Sequence, residues 1–275
     1  MITEPKLYQT PPARLVEVWG PTLRYWMRTE VHAYALSVAA SVLLSFFPFL
    51  IVMLSICKYA LAWPAAVTAI YLAMGDFFPG ELTDFLRRNL NDAVEKRGPF
   101  QVVPVLLLLV TANGVFVPFE VALNRAWGVG QNRSYFKNQL VSLGLIFVCG
   151  GLALASITFT AMHREWLPGW ISPAAFKVAA LPLTILALAL MYWLLPNCKI
   201  SPVRVIPVSI VVGLALELLK YATLLAWPFV RDRLRGQYGP FYISVTILLW
   251  SFLAAMVVLA GAEWSARRVR REVIP

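Results

Sequence analysis

An all-α membrane protein, with six transmembrane helices plus amphipathic interfacial helices, is the fold class this sequence predicts, and three observations predict it. Hydrophobic residues make up 60% of the 275 positions against 14% charged, and the mean hydropathy is +0.70, outside the range of soluble globular chains. The apolar residues gather into six runs, each long enough to cross a bilayer as a helix. Basic residues cluster in alternate connections between those runs, as expected of a chain threaded back and forth across a membrane.

Each element follows from the local pattern. In residues 1–33, the stretch Pro12 to Glu30 sets Leu15, Val18, Trp19, Leu23, Trp26 and Met27 largely on one helical face, with Arg14, Glu17, Arg24 and Arg28 outside it. That pattern predicts an interfacial helix on the cytoplasmic side. A six-helix domain over 34–264 comprises the runs Tyr34 to Trp63, Phe100 to Phe119, Leu140 to Met162, Pro173 to Leu195, Val205 to Phe229 and Phe241 to Trp264. The first run starts too late and is too long for a cleaved signal sequence, so it reads as a retained helix. Between the first two runs, Leu82, Phe85, Leu86, Leu90 and Val94 recur at helical steps, predicting a second amphipathic helix over Glu81 to Lys96. Residues 265–275 read as a basic cytoplasmic tail.

Charge sets the expected orientation. Thirteen Lys and Arg residues fall on the side of both termini, including Arg125, Lys199, Arg204 and Arg267, against nine on the other. The bias predicts both termini in the cytoplasm.

Ionisable residues inside apolar runs are the natural candidates for function, because burying charge in hydrocarbon is costly. Glu217 lies roughly 18 Å along a helix from Val205, near the midplane of a hydrocarbon layer about 30 Å thick. Lys220 follows at the three-residue spacing that lets helical neighbours meet. Two readings fit: an ion pair that fixes helix packing, or a polar point on a substrate or proton route. Asn113, about 20 Å into the second run, comes within a turn or two of the depth of Glu217, as a hydrogen-bonding neighbour or as interhelical glue. Ser45 and Pro48 sit in the first run, where proline breaks either kink a helix or line a cavity; Pro104, Pro182 and Pro207 break others. Gly144, Gly150 and Gly151 suit close helix contact in the third run. An outer loop holding Arg231, Arg233 and Arg235 suits anionic headgroups or is a solvated charge run. Lys58, Glu120 and Glu263 lie near run ends, where snorkelling to the interface is expected.

Several function classes find no support. Two histidines, His32 and His163, on opposite sides of the membrane give neither a metal site nor a triad, and the chain carries no phosphate-binding glycine loop. Cys57, Cys149 and Cys198 are odd in number and lack ligand spacing. The expectation is no enzyme, no cofactor, no metal and no nucleic-acid partner.

Several segments together resemble the YihY/BrkB family of bacterial inner-membrane proteins. They are Ala35 to Leu50 (ALSVAASVLLSFFPFL), Ala122 to Val129 (ALNRAWGV), Leu195-Pro196-Asn197, Glu217 to Tyr221 (ELLKY), Tyr238-Gly239, Leu249-Trp250 and Gly261-Ala262-Glu263. The resemblance implies six helices with both termini cytoplasmic. It implies less about activity, since members have been labelled ribonucleases, serum-resistance factors and lipid or lipopolysaccharide transporters. The leading expectation is a transporter, or an aid to transport, for an anionic amphiphile, with Asn113, Glu217, Lys220, Ser45 and Pro48 on the route and Arg231, Arg233 and Arg235 at the headgroups. A non-transporting envelope scaffold and a proton-coupled solute carrier are the alternatives. Membrane lipids, with envelope proteins as further candidates, are the expected partners.

Overall fold

A computed structural model of the chain describes residues 20–77, 81–97, 102–130, 134–166, 173–198 and 200–273. Every regular element among them is helical. A short helix α1 covers residues 20–26. Eight longer ones follow: α2 (Thr29–Ser55), α3 (Pro64–Phe77), α4 (Glu81–Arg97), α5 (Val102–Trp127), α6 (Tyr135–Trp166), α7 (Pro173–Leu194), α8 (Pro202–Tyr238) and α9 (Tyr242–Val273).

The six longest helices close into a ring. Helix α2 packs on α5, α5 on α6, α6 on α7, α7 on α8, α8 on α9, and α9 returns to α2, with α5 also touching α9. Chain order equals ring order: from α5 onward short connections force antiparallel neighbours, while α2 and α5 are joined by the longer stretch that holds α3 and α4. One core of buried side chains, among them Ala35, Phe119, Leu123, Leu145, Tyr192, Val208 and Leu259, draws on all six helices. Two stretches among the described residues are long and apolar enough to cross a membrane, Thr29–Ala60 and Pro202–Arg267, the latter holding both α8 and α9. Phe136–Leu152 and Leu181–Leu194 are shorter apolar stretches.

Glycines set how closely the ring packs. A Cβ on Gly261 of α9 would collide with Val212 of α8 and come within 2.7 Å of the Tyr192 hydroxyl of α7. A Cβ on Gly114 of α5 would collide with Ser41 of α2. Gly150 does what was expected of the third run, since its Cβ would meet the Phe49 ring at 3.0 Å, whereas Gly144 and Gly151 face open space. Tyr192 donates to the Val258 carbonyl at 2.7 Å, a buried bond beside the α8–α9 crossing.

Two expectations need correction, and two further segments are helical that the sequence reading did not assign to helices. The first run does not continue to Trp63 as one helix; α2 gives way to a π-turn over Ile56–Ala60, with the Leu61 amide bonded to the Ile56 carbonyl. The segment behind it is helical too: α3 was missed because its 14 residues are mostly apolar, with no amphipathic period and too little length to span. Arg231, Arg233 and Arg235 are not in a loop. They continue α8, which runs on past Pro228 and Gly236 and ends at Gly239, φ +52°. The basic stretch after residue 264 likewise extends α9 to Val273.

A second, smaller core lies beside the ring. Leu54 and Cys57 at the end of α2, Ala66, Ile70 and Met74 of α3, and Leu86, Leu90 and Val94 of α4 bury one another. Leu86, Leu90 and Val94 of the expected apolar stripe of α4 make this contact, whereas Phe85 stays exposed and the side chain of Leu82 lies outside the described residues.

Candidate functional site

Helix α8 touches α7 on one side and α9 on the other, which leaves an outward face. Leu214, Leu218, Leu225 and Phe229 recur at turns of the helix and are exposed, Leu218 and Phe229 by 70% and 78%. The inward face carries Val205, Val208, Ser209, Val212, Gly213, Thr223 and Trp227, all buried. Gly213 lies against Ile185 and Leu188 of α7.

Glu217 and Lys220 fall on the border between these faces. Lys220 Nζ reaches Glu217 Oε1 at 2.6 Å, and the Lys220 and Glu217 side chains are 17% and 34% exposed, respectively. The ammonium also lies 5.3 Å from the centre of the Tyr221 ring. Three-residue spacing thus forms the ion pair within one helix, so both charges are neutralised locally. What the arrangement can do chemically follows from its position: it offers one cationic and one anionic group together at the rim of an apolar surface, without needing another helix to hold them.

The other sequence-predicted residues lie elsewhere. Asn113 belongs to α5, and its side chain lies outside the described residues, as does the expected contact with Glu217. Ser45 and Pro48 are buried in α2. Ser45 Oγ donates to the Val42 carbonyl of its own helix at 3.3 Å, and Pro48 withholds the amide that the Leu44 carbonyl would otherwise accept. Arg231 pairs with Asp232 at 2.9 Å, and Arg233 and Arg235 are exposed at the end of α8. Lys58 meets Glu95 at 3.4 Å and is largely exposed, as expected for a run end.

Glu120 and Glu263 do not snorkel. Glu120 is 1% exposed within the inward face of α5, because α2, α6 and α9 cover that end of the helix. Glu263 is enclosed by α1: Thr22 Oγ1 donates to Glu263 Oε2 at 3.1 Å, and Arg267 donates to Thr22 Oγ1 at 2.8 Å while its Nε lies 3.4 Å from Glu263 Oε1. Trp26 donates to the Met256 carbonyl at 2.8 Å, so Trp26 faces inward while Leu23 and Met27 of the expected stripe stay exposed. Burial and the Glu263 charge push the Tyr25 hydroxyl up to about 12.

One turn beyond Glu120, Asn124 is buried as well, and its Oδ1 accepts the Asn197 amide at 2.7 Å. Here two of the segments behind the sequence resemblance meet. ALNRAWGV is a helix end: Gly128 takes φ +74°, its amide bonds the Arg125 carbonyl and that of Val129 the Asn124 carbonyl, the two bonds of a Schellman cap. Leu195-Pro196-Asn197 ends α7 and docks on that cap through Asn124. On α6, the buried Asn138 Oδ1 and Ser142 Oγ have no protein partner. Sequence reasoning missed these buried polar side chains; the signal available on α5 was Glu120 and Asn124 at four-residue spacing. Among the described residues no three His, Cys, Asp or Glu side chains are grouped to hold a metal ion.

Residues 22–273 match the family described as Virulence factor BrkB. The chain belongs to that family. Curated proteins similar to this BrkB-family chain are named UPF0761 membrane proteins. That of Chromohalobacter salexigens is 30% identical over 200 residues, covering 68% of this chain and 48% of that protein. That of Acinetobacter baylyi is 30% identical over 251 residues, 86% of this chain and 58% of its own length. That of Alteromonas mediterranea is 23% identical over 269 residues, 94% and 90% of the two. The chain therefore spans about half the length of the first two relatives. No solved structure matches it. Composition, apolar helices and family agree on an integral membrane protein.

Proposed function

We propose that this BrkB-family chain crosses the bacterial inner membrane six times, with both termini in the cytoplasm, and moves an anionic amphiphile or assists its movement. Helices α2 and α5 to α9 are the six spans, supported by their closure into one ring and by the charge bias of the connections. No catalytic step and no cofactor belong to this reading.

One observation carries the transport part: the Glu217–Lys220 pair borders the outward apolar stripe of a helix that ends in arginines. Helix α8 has 37 residues and is therefore about 56 Å long, well beyond a hydrocarbon layer of about 30 Å. From Lys220 to Arg231 the rise is about 16 Å, so a bilayer that sets the arginines at its headgroups sets the pair near its middle. An anionic headgroup meets Arg231, Arg233 and Arg235 first and the Lys220 ammonium half-way, while its chains stay along Leu218, Leu225 and Phe229. The pair lowers the barrier at the depth where a lone charge is most costly.

Reconstitution into vesicles with fluorescent phosphatidylglycerol tests this. Translocation by the wild-type protein should exceed that of protein-free vesicles, and Glu217→Gln and Lys220→Met should each slow it about tenfold, the effect of about 1.4 kcal/mol on a barrier. Rates equal to those of empty vesicles would sink the transport reading.

A further inference from the structure

Beside the ring, where α2 ends and α3 and α4 pack on it, lies a cavity of about 470 Å³. That volume falls within the roughly 300–1,000 Å³ of small-ligand sites. Leu54, Val67 and Val94 form an apolar wall, and Lys58, Trp63 and Glu95 stand among its other lining residues.

Three features of this corner are independent of the cavity itself. The chain enters it through the π-turn Ile56–Ala60, a form of helix that recurs at functional sites. Ala62, which lines the cavity, has φ +46°, and among the described residues it alone without being glycine holds a positive φ. That conformation costs about 1–3 kcal/mol and persists only where the surroundings enforce it; here the Trp63 amide is tied back to the Cys57 carbonyl at 2.8 Å. Third, Lys58 Nζ and Glu95 Oε1 stand 3.4 Å apart, with 41% and 64% of their side chains exposed. A charge-assisted hydrogen bond closes to about 2.7–2.9 Å, so this pair is loosely held and both ends can exchange partners.

We propose that this cavity binds a zwitterionic glycerophospholipid whose headgroup joins a phosphate to a primary ammonium. The phosphate takes Lys58, the ammonium takes Glu95, and the beginning of an acyl chain lies along Leu54, Val67 and Val94. Charge selects this class. A headgroup with only negative charge gains Lys58 but meets Glu95, and one with only positive charge meets the converse; a zwitterion exchanges both members of the pair at once. Arg87 lies 5.2 Å from the ring centre of Tyr71, which lines the cavity, and adds positive charge nearby that favours the phosphate. Tyr71 donates to Asn91 Oδ1 across from it, which fixes α3 to α4. Trp63, partly exposed at the mouth, suits the level where headgroup meets hydrocarbon. The site goes beyond the transport reading and does not depend on it, since it shares no residue with α8.

The test is native mass spectrometry of the purified protein, titrated in detergent with phosphatidylethanolamine or phosphatidylglycerol of identical chains. Wild type should retain phosphatidylethanolamine about fivefold better, the effect of one exposed charged contact of about 1 kcal/mol. Glu95→Gln should abolish that preference, Lys58→Met should weaken both lipids, and Val67→Trp, which fills the cavity, should remove bound lipid. Glu95 and Lys58 are exposed enough that their variants fold, so they decide the matter if Val67→Trp does not. Glycerophosphoethanolamine, the headgroup without chains, should fail to displace the lipid at equal concentration. An unchanged lipid ratio in Glu95→Gln, undiminished binding in a folded Val67→Trp protein, or full displacement by the free headgroup would each overturn the proposal.

Discussion

Glu217 and Glu120 are both carboxylates in apolar helices of one ring, yet the structure treats them oppositely. Glu217 sits on α8, an edge shared with only two ring neighbours, holds Lys220 of its own helix at 2.6 Å and borders an outward apolar face. Glu120 sits on α5, packed by α2, α6 and α9, and is 1% exposed in a layer with Asn124. The difference teaches that depth along a helix does not decide whether a charge is enclosed; the neighbours do. A self-contained pair leaves α8 free to present charge outward, whereas a group that depends on surrounding helices contributes to holding them together.

The comparison can be broken by mutation, and the largest effect belongs to the close-packed core. Gly261→Leu places a branched side chain against Val212 and Tyr192, and the protein should fail to give a monodisperse folded species; Gly261→Ala should cost about 1–3 kcal/mol. Next comes Glu120→Ala, expected to lower stability in mixed micelles by about 3 kcal/mol because it vacates an enclosed polar layer. A loss below that of Glu217→Ala would reverse the ranking of the two sites.

Glu217→Gln alone should cost about 1–2 kcal/mol by leaving Lys220 without its carboxylate, and the double variant with Lys220→Met should recover part of it. Additive losses would show that the two charges do not act as a pair. The smallest effect is expected for Arg125→Ala, which removes an exposed contact to Glu30 at 2.7 Å and should leave the melting temperature almost unchanged.

Much of the fold was legible in the pattern of apolar residues. Each of the six runs corresponds to one ring helix, because runs of about twenty apolar residues have few other stable forms in an integral membrane protein. Helix α4 was legible from its amphipathic period, and α3 was not, since a short run apolar on most sides has no period to detect. The arginines after Phe229 looked like a loop because charge suggests solvent, yet α8 runs on through Gly236 and ends where Gly239 takes a positive φ. The Glu217–Lys220 contact followed from spacing within one helix. The Thr22–Glu263–Arg267 cluster joins residues more than 240 positions apart, and the Asn124–Asn197 bond joins residues 73 apart, so both depend on how helices meet.

The most direct test sets the two carboxylates side by side in one translocation assay, with rates normalised to folded protein. Glu217→Gln should lose about tenfold in rate with a smaller fall in melting temperature than Glu120→Gln, while Glu120→Gln should melt earlier yet keep the wild-type rate in its folded fraction. A wild-type rate in Glu217→Gln, or a tenfold loss confined to folded Glu120→Gln, would contradict the assignment of transport to the α8 edge.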